Sequence, residues 1–334
     1  LRRSPVDLTC RVGSLELANP VMTASGTSGH GRELAAYGDL AALGAVVVKS
    51  LAHFPWPGNP PPRVVPAAAG MLNSVGLPGP GLEAWAEDHL PGLQAEGCSV
   101  VVSVWGHDAS DYAKAVGRLV SLLEEYGLLD EHRPGAPGRH RGRVVAVEAN
   151  LSCPNTADPR RMFAQDPSAA AEVVAACLEG LRGGGVLPLW AKLTAAVADV
   201  TEIAGSALQA GASALTLVNT MPALAVDLEE RRPALGAGQG GLSGPALHPI
   251  ALRCVRECRR AFPTVGIVGV GGVDSGRAAA AMLLAGADAV QVGTATFADP
   301  RAPWKVLDGL RRWCVRNRVE RVADLVGQAA LDRS

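Results

Sequence analysis

The sequence predicts a single (β/α)8 barrel, the TIM barrel, with long βα loops over the C-terminal face, and three observations carry that prediction. Eight short β-branched runs alternate with helical segments along the 334 residues. No shift in composition divides the chain, so residues 1–334 read as one domain. Polar residues and glycines gather just after the apolar runs, at the end of the sheet where a barrel carries its chemistry. The rival, a doubly wound open sheet, would carry a Gly-rich dinucleotide fingerprint after its first strand, and none is there.

Taken in order, residues 19–26 (NPVMTASG) form the first strand and run into a Ser-Gly turn, and a helix is expected over 32–43. Residues 45–48 form the second strand and deliver Lys49 and Ser50 at its end. The Pro- and Gly-rich stretch from FPWPGNPPPR to GMLNSVGLPGPG is too long for a connector and reads as a functional loop over the sheet. A helix over 82–96 leads to the third strand at 99–104, which ends at Ser103 and Trp105. Asp108 then caps a helix to about residue 126. Residues 130–142 (DEHRPGAPGRHRG) read as a mobile surface insertion.

The fourth strand is the stretch on which the chain turns. VVAVEANLSCPN begins as a strand buried on both faces and ends in Asn150, Ser152, Cys153 and Asn155, with Pro154 fixing the backbone after the sulfur. A lone cysteine is more often an inert buried residue, but two flanking asparagines and a proline point to a working thiol. Asp166 and Pro167 open a helix to about residue 181. Residues 187–193 form the fifth strand and place Lys192 near its end; 199–210 is helical; 214–218 is the sixth strand, ending in Asn219 and Thr220. Residues 221–245 read as a long loop carrying GQGGLSG, followed by a helix over 246–261. The last two strands, 265–270 and 289–292, end in Gly271-Gly272 and Gly293-Thr294, with a helix at 275–285 between them and a final helix starting near residue 303.

Composition narrows the function. Hydrophobic residues make up 48% and aromatics only 4%, so the core is built from Ala, Val and Leu, which suits helices packed closely on a parallel sheet. With 31 basic and 32 acidic residues the net charge is -1, which gives no electrostatic case for nucleic acid or an anionic membrane. No apolar run reaches the ~18 residues of a membrane span, and LRRSPVDLTCRVG lacks the apolar core of a signal peptide, so a soluble, cytoplasmic protein is expected. Seven scattered cysteines without a CxxC pair argue against a disulfide framework, and no metal site is expected.

Glycine pairs after strands seven and eight let backbone amides approach phosphate oxygens closely. Two lysines at strand ends are costly unless they meet an anion or an electron-rich ring, and a flavin mononucleotide accounts for both. Asn73, Asn150, Asn155 and Asn219 each offer donors and an acceptor without net charge, which matches a ring of alternating C=O and N–H groups such as a pyrimidine dione.

ASGT at 24–27, KS at 49–50, GNPPPR at 58–63, GMLNSVGLPGPG at 70–81, NLSCPN at 150–155, LVNT at 217–220, GGLSGPA at 240–246, GVGG at 269–272 and LLAGADAVQVGTATF at 283–297 together resemble the class I dihydroorotate dehydrogenases, in consistent order over nearly the whole chain. The loop NTMPALAVDLEERRPALG is most similar to the B-type catalytic subunit. That resemblance implies FMN-dependent oxidation of (S)-dihydroorotate to orotate in pyrimidine biosynthesis. It also implies a homodimer, or a heterotetramer with an electron-transfer subunit that carries FAD and an iron-sulfur cluster and passes electrons to NAD.

By the same resemblance Cys153 matches the catalytic base. Ser25, Lys49, Ser50, Ser103, Asn150, Lys192, Val218, Gly244, Gly271, Gly272, Gly293 and Thr294 match positions at the flavin. Lys49, Asn73, Ser74, Val75, Gly76, Leu77, Asn150, Asn155, Asn219 and Thr220 match positions at the substrate. The chain departs from the family at Ser103, where an asparagine is usual, at Trp105, and in the segment TADPRRMF after the cysteine. A related dihydropyrimidine or dihydrouracil oxidoreductase, a stand-alone enzyme using fumarate, and a catalytically silent barrel binding a phosphorylated ligand are the alternatives.

Overall fold

Residues 6–128, 142–152, 162–182 and 187–330 are described by the computed structural model. Cys153, Asn155 and all but Gly142 of the 130–142 insertion lie outside the described residues. Eight parallel strands form the centre: β1 (Val21–Thr23), β2 (Val46–Val47), β3 (Val100–Val104), β4 (Val144–Asn150), β5 (Leu189–Leu193), β6 (Ala214–Leu217), β7 (Gly266–Val270) and β8 (Ala289–Val292). β2 to β8 pair in sequence order, and β8 returns to β1 through Gln291↔Met22. A parallel bridge, Met22↔Ala45, joins β1 to the start of β2 and closes the ring. At that seam the Thr23 hydroxyl accepts from the Val47 N–H at 2.8 Å and donates to its carbonyl at 3.4 Å, so a side chain completes the ladder. Every residue of β3, β4, β5 and β7 is buried, which is why these strands read as continuous apolar runs rather than alternating ones.

The helices are α1 (Leu82–Asp88), α2 (Leu90–Ala95), α3 (Ala109–Glu125), α4 (Pro167–Leu181), α5 (Val200–Gln209), α6 (His248–Ala261), α7 (Gly276–Ala285), α8 (Ala295–Ala298) and α9 (Ala302–Arg316). Asp108, Asp166, Asp199 and Ser275 cap α3, α4, α5 and α7, each side chain accepting a first-turn N–H. α3 turns Tyr112, Ala115, Val116, Leu119 and Leu123 onto the sheet, a helical spacing, and each such side chain contributes roughly 1.5–3 kcal/mol by leaving water, Ala115 less. α3 and α4 approach closely at Gly180: a Cβ there would lie 2.6 Å from the Ala113 carbonyl oxygen and 2.8 Å from Gly117 N. The hairpin Cys10–Val12/Leu15–Leu17 covers the opposite end of the barrel, burying Val12, Leu15 and Leu17 beside the start of β6. Among the described residues no helix is long and apolar enough to cross a membrane.

Three local expectations need correction. The helix over 32–43 is two short 3-10 turns, Glu33–Ala36 and Leu40–Ala42. Asp39 restarts the chain by accepting from Ala41 N at 2.9 Å, and Gly38 is pressed against the Trp304 ring. The helix over 82–96 divides into α1 and α2 at His89, because Pro91 has no N–H to continue the ladder. The two long loops after β2 and β6 are not loops throughout. Val64–Ala67, Gly70–Asn73, Gly240–Ser243 and Met221–Ala223 pair as a four-stranded antiparallel sheet, with Gly241↔Asn73 in register, and Val226–Asp227 pairs with Arg232–Pro233.

Candidate active site

Between that antiparallel sheet and the C-terminal ends of the barrel strands lies a cavity of about 830 Å³. Its floor is made by strand ends. Ser25 follows β1, Lys49 and Ser50 follow β2, Asn150 ends β4, Lys192 lies within β5, and Val218 and Asn219 follow β6. The first antiparallel strand pair leads into Asn73, Ser74, Val75, Gly76 and Leu77, which form one wall together with Thr220. Gly244, Gly271, Gly272, Gly293 and Thr294 form the opposite end. Thus the singled-out positions that lie among the described residues are brought to one space, with one exception, while Cys153 and Asn155 fall outside the described residues.

The exception is Ser103, which does not line the cavity. It is fully buried and its hydroxyl sits 2.9 Å from the Ser50 hydroxyl, which is 3.1 Å from that of Ser25. The short serine side chain thus meets Ser50 rather than the cavity. The Asn150 amide also donates to Ser50, at 3.3 Å, and its oxygen accepts from Asn219 Nδ2 at 3.0 Å and from Ser152 N at 3.3 Å. Asn219 accepts in turn from Thr220 N at 2.8 Å, and Tyr112 donates to the Asn150 carbonyl at 2.6 Å. These bonds lock the orientation of both amides and leave each with an N–H for a ligand.

Among the described residues Lys49 and Lys192 are the lysines or arginines that line the cavity, and no Asp or Glu does so. Burial, and then the positive charge of Arg63, hold the Lys49 ammonium below the ordinary lysine range. Arg63 is pinned by donating to the carbonyls of Asn59 at 2.6 Å and Pro57 at 2.9 Å. Burial, Lys49 and His89 press nearby His30 down to about 4, so His30 is neutral at physiological pH. The region is a cationic hollow that favours an anion.

Gly76 and Leu77 both have positive φ, +74° and +56°. Leucine pays for that conformation in strain of about 1–3 kcal/mol, the kind of backbone held at ligand clamps. Gly272 has φ +62°, and a Cβ there would lie 2.7 Å from His248 Cβ and 2.9 Å from the Gly244 carbonyl. Gly272→Ala is therefore expected to lower stability by about 1–3 kcal/mol through backbone strain and crowding. Thermal melting of the variant against wild type checks it.

Several lining residues escaped the sequence reading. Trp56, Trp105 and His107 form an aromatic wall, with ring centroids 6.0 Å apart for Trp56–Trp105 and 5.0 Å for Trp105–His107. Only Trp105 carried a signal, as a bulky residue at a strand end. Asn59, which donates to Ser74 Oγ at 2.9 Å, was hidden in a proline-rich run. Glu148 was also passed over, although a carboxylate inside a buried strand is a signal in itself. The six described cysteines are buried, and burial pushes each thiol up, that of Cys98 to about 12. Among the described residues no group of three or more His, Cys, Asp or Glu is placed to hold a metal.

Comparison with known proteins agrees with this geometry. Residues 7–313 match the sequence profile of the family described as dihydroorotate dehydrogenase. The chain is 42% identical to "Dihydroorotate dehydrogenase B (NAD(+)), catalytic subunit" of Pelobacter propionicus, over 96% of this chain and 98% of that one. It is 40% identical to the protein of the same name in Geotalea uraniireducens, over 96% and 97% of the two chains. It is also 40% identical to the one in Alkaliphilus oremlandii, over 95% and 97%. In fold it is similar to a dihydroorotate dehydrogenase from Eimeria tenella solved with ferulenol, with a TM-score of 0.74 at 22% identity, over 98% of this chain and 90% of that one.

Proposed function

The chain belongs to the dihydroorotate dehydrogenase family, and on that premise we propose that it oxidises (S)-dihydroorotate to orotate with bound FMN as hydride acceptor and Cys153 as base. The observation that carries this reading is a cavity with two lysines, no lining carboxylate among the described residues, glycines at one end and amides at the other. FMN suits the glycine end. Gly271 and Gly272 line that end with backbone alone, packed so closely that a Cβ at either would meet Ala251 or His248, and the Thr294 and Ser243 hydroxyls, 2.8 Å apart, line it too.

When bound, the flavin supplies the acceptor for the hydride from C6. Everything else falls to the chain. Lys49 offers an ammonium to the substrate carboxylate, and Asn73, Asn150 and Asn219 offer donors and acceptors to the ring. Ser152 lines the cavity with its N–H held by Asn150, so the chain stands at the cavity wall one residue before Cys153. As thiolate, Cys153 takes the C5 proton, which leaves the C5=C6 double bond of orotate. An ordinary thiol of pKa ~8.5 is a few per cent thiolate at neutral pH, so the rate rises toward alkaline pH.

The B-type resemblance extends the proposal to electron transfer: a separate subunit bearing FAD and an iron-sulfur cluster receives the electrons and passes them to NAD. The testing experiment is an anaerobic titration of the purified chain with dihydroorotate, followed in the visible spectrum. A flavin band that bleaches with dihydroorotate and not with dihydrouracil supports the reading, and a colourless protein sinks it. The chain alone is expected to reduce dyes or oxygen but not NAD. Efficient fumarate reduction would favour a stand-alone enzyme instead.

A further inference from the structure

Beneath the cavity floor the barrel contains a polar group that the proposed chemistry does not use. Glu148 lies within β4, in register with Ser103 on β3 and Trp190 on β5, and is fully buried. Its Oε1 accepts from Lys192 Nζ at 3.4 Å. Its Oε2 accepts from Gln291 Nε2 on β8 at 2.7 Å and from Thr216 Oγ1 on β6 at 3.1 Å. One carboxylate therefore gathers donors from three strands, and only Lys192 of the three donors reaches the cavity.

Stability does not account for this arrangement. Desolvating two charges often costs as much as their attraction returns, and apolar side chains of similar volume would serve a barrel interior as well. The geometry explains it better. Gln291 and Thr216 hold the other oxygen, Oε2, which leaves Oε1 for the lysine. Lys192, only 4% exposed, is thereby kept at one point of the floor.

We infer that Glu148 is a positioning residue, which fixes the Lys192 ammonium under the bound ring and whose negative charge tempers the lysine's field there. This rests on the flavin reading of the site. A positive charge beside the ring favours the reduced, negatively charged form, and a carboxylate behind it partly cancels that effect. The strength of the lysine as an electrostatic partner is thus set one residue deeper in the barrel.

The test compares wild type, Glu148→Gln, Lys192→Met and the double variant. In the holoenzymes, spectroelectrochemistry is expected to show the flavin midpoint potential raised by Glu148→Gln and lowered by Lys192→Met. Thr216→Val keeps the carboxylate but removes one donor, and is expected to lower the potential mildly. An unmoved potential in Glu148→Gln and Thr216→Val alike overturns the inference. Thermal melting of the flavin-free proteins supplies an independent reading. Lys192→Met alone strands a buried carboxylate and is expected to melt below the double variant. A double variant that melts lower by the sum of the single shifts overturns the coupling. Melting needs no flavin, so a colourless wild type would defeat the functional reading while still leaving the pair tested.

Discussion

Cys153→Ala is expected to retain its flavin and to lose dihydroorotate oxidation by about 100- to 10,000-fold, the contribution of a positioned base. The expectation rests on placement and on contrast. The strand that ends at Asn150 carries the chain into the cavity wall at Ser152, and the next residue is the cysteine. The other six cysteines are buried among apolar side chains with thiols pushed up, which leaves them inert as bases. Loss of one thiol should therefore remove proton abstraction without disturbing the core. Anaerobic rapid mixing with dihydroorotate reads the step directly as bleaching of the flavin band. Bleaching at the wild-type rate in the variant would take Cys153 out of the mechanism. Cys153→Ser is expected to fall nearly as far, because a serine hydroxyl is a much poorer proton acceptor at neutral pH.

The barrel was legible because its signals are local. A run such as VVAVEAN is apolar on both faces, and Asp166-Pro167 marks a helix start within two residues, and both elements lie where the sequence puts them. The strand-end residues were legible for the same reason, since the eight-fold repeat fixes which end of each strand faces the cavity. Pairing between distant loops is not written locally. Nothing near Asn73 announces that Gly241, 168 residues away, lies opposite it, so the antiparallel sheet read as two loops. The aromatic wall failed to appear for a similar reason: Trp56 and Trp105 come from different units and meet only in three dimensions. Ser103 shows a different limit. It lies near the end of its strand as the pattern requires, but side-chain length decides whether a residue there reaches the cavity or the neighbour behind it, and Ser103 meets Ser50.

Lys49→Ala is expected to weaken dihydroorotate binding by roughly 30- to 4,000-fold, the equivalent of the 2–5 kcal/mol lost when one partner of a buried charge pair is truncated. The ammonium lines the cavity beside the loop that carries Asn73 to Leu77, and among the described residues it has no carboxylate within ion-pair reach. A substrate that brings its own carboxylate supplies the missing partner, whereas dihydrouracil does not. The variant should therefore lose discrimination between the two ligands as well as affinity for the first. The pH dependence has a definite sign. Burial, then Arg63, lower the lysine's titration, so its charge is complete well below the ordinary lysine range and is lost as pH rises through the depressed value. Dihydroorotate affinity in wild type should fall with that loss, and in Lys49→Ala the corresponding limb should be absent. The same sign governs stability. A cation with a depressed folded-state pKa opposes folding at low and neutral pH and ceases to do so above its unfolded value. Lys49→Ala should consequently melt no lower than wild type at neutral pH while binding its substrate far more weakly, which separates a group kept for recognition from one kept for the fold. Binding titrations across pH, alongside thermal melts, check both halves, and equal ligand affinities in the two proteins would remove Lys49 from the carboxylate site.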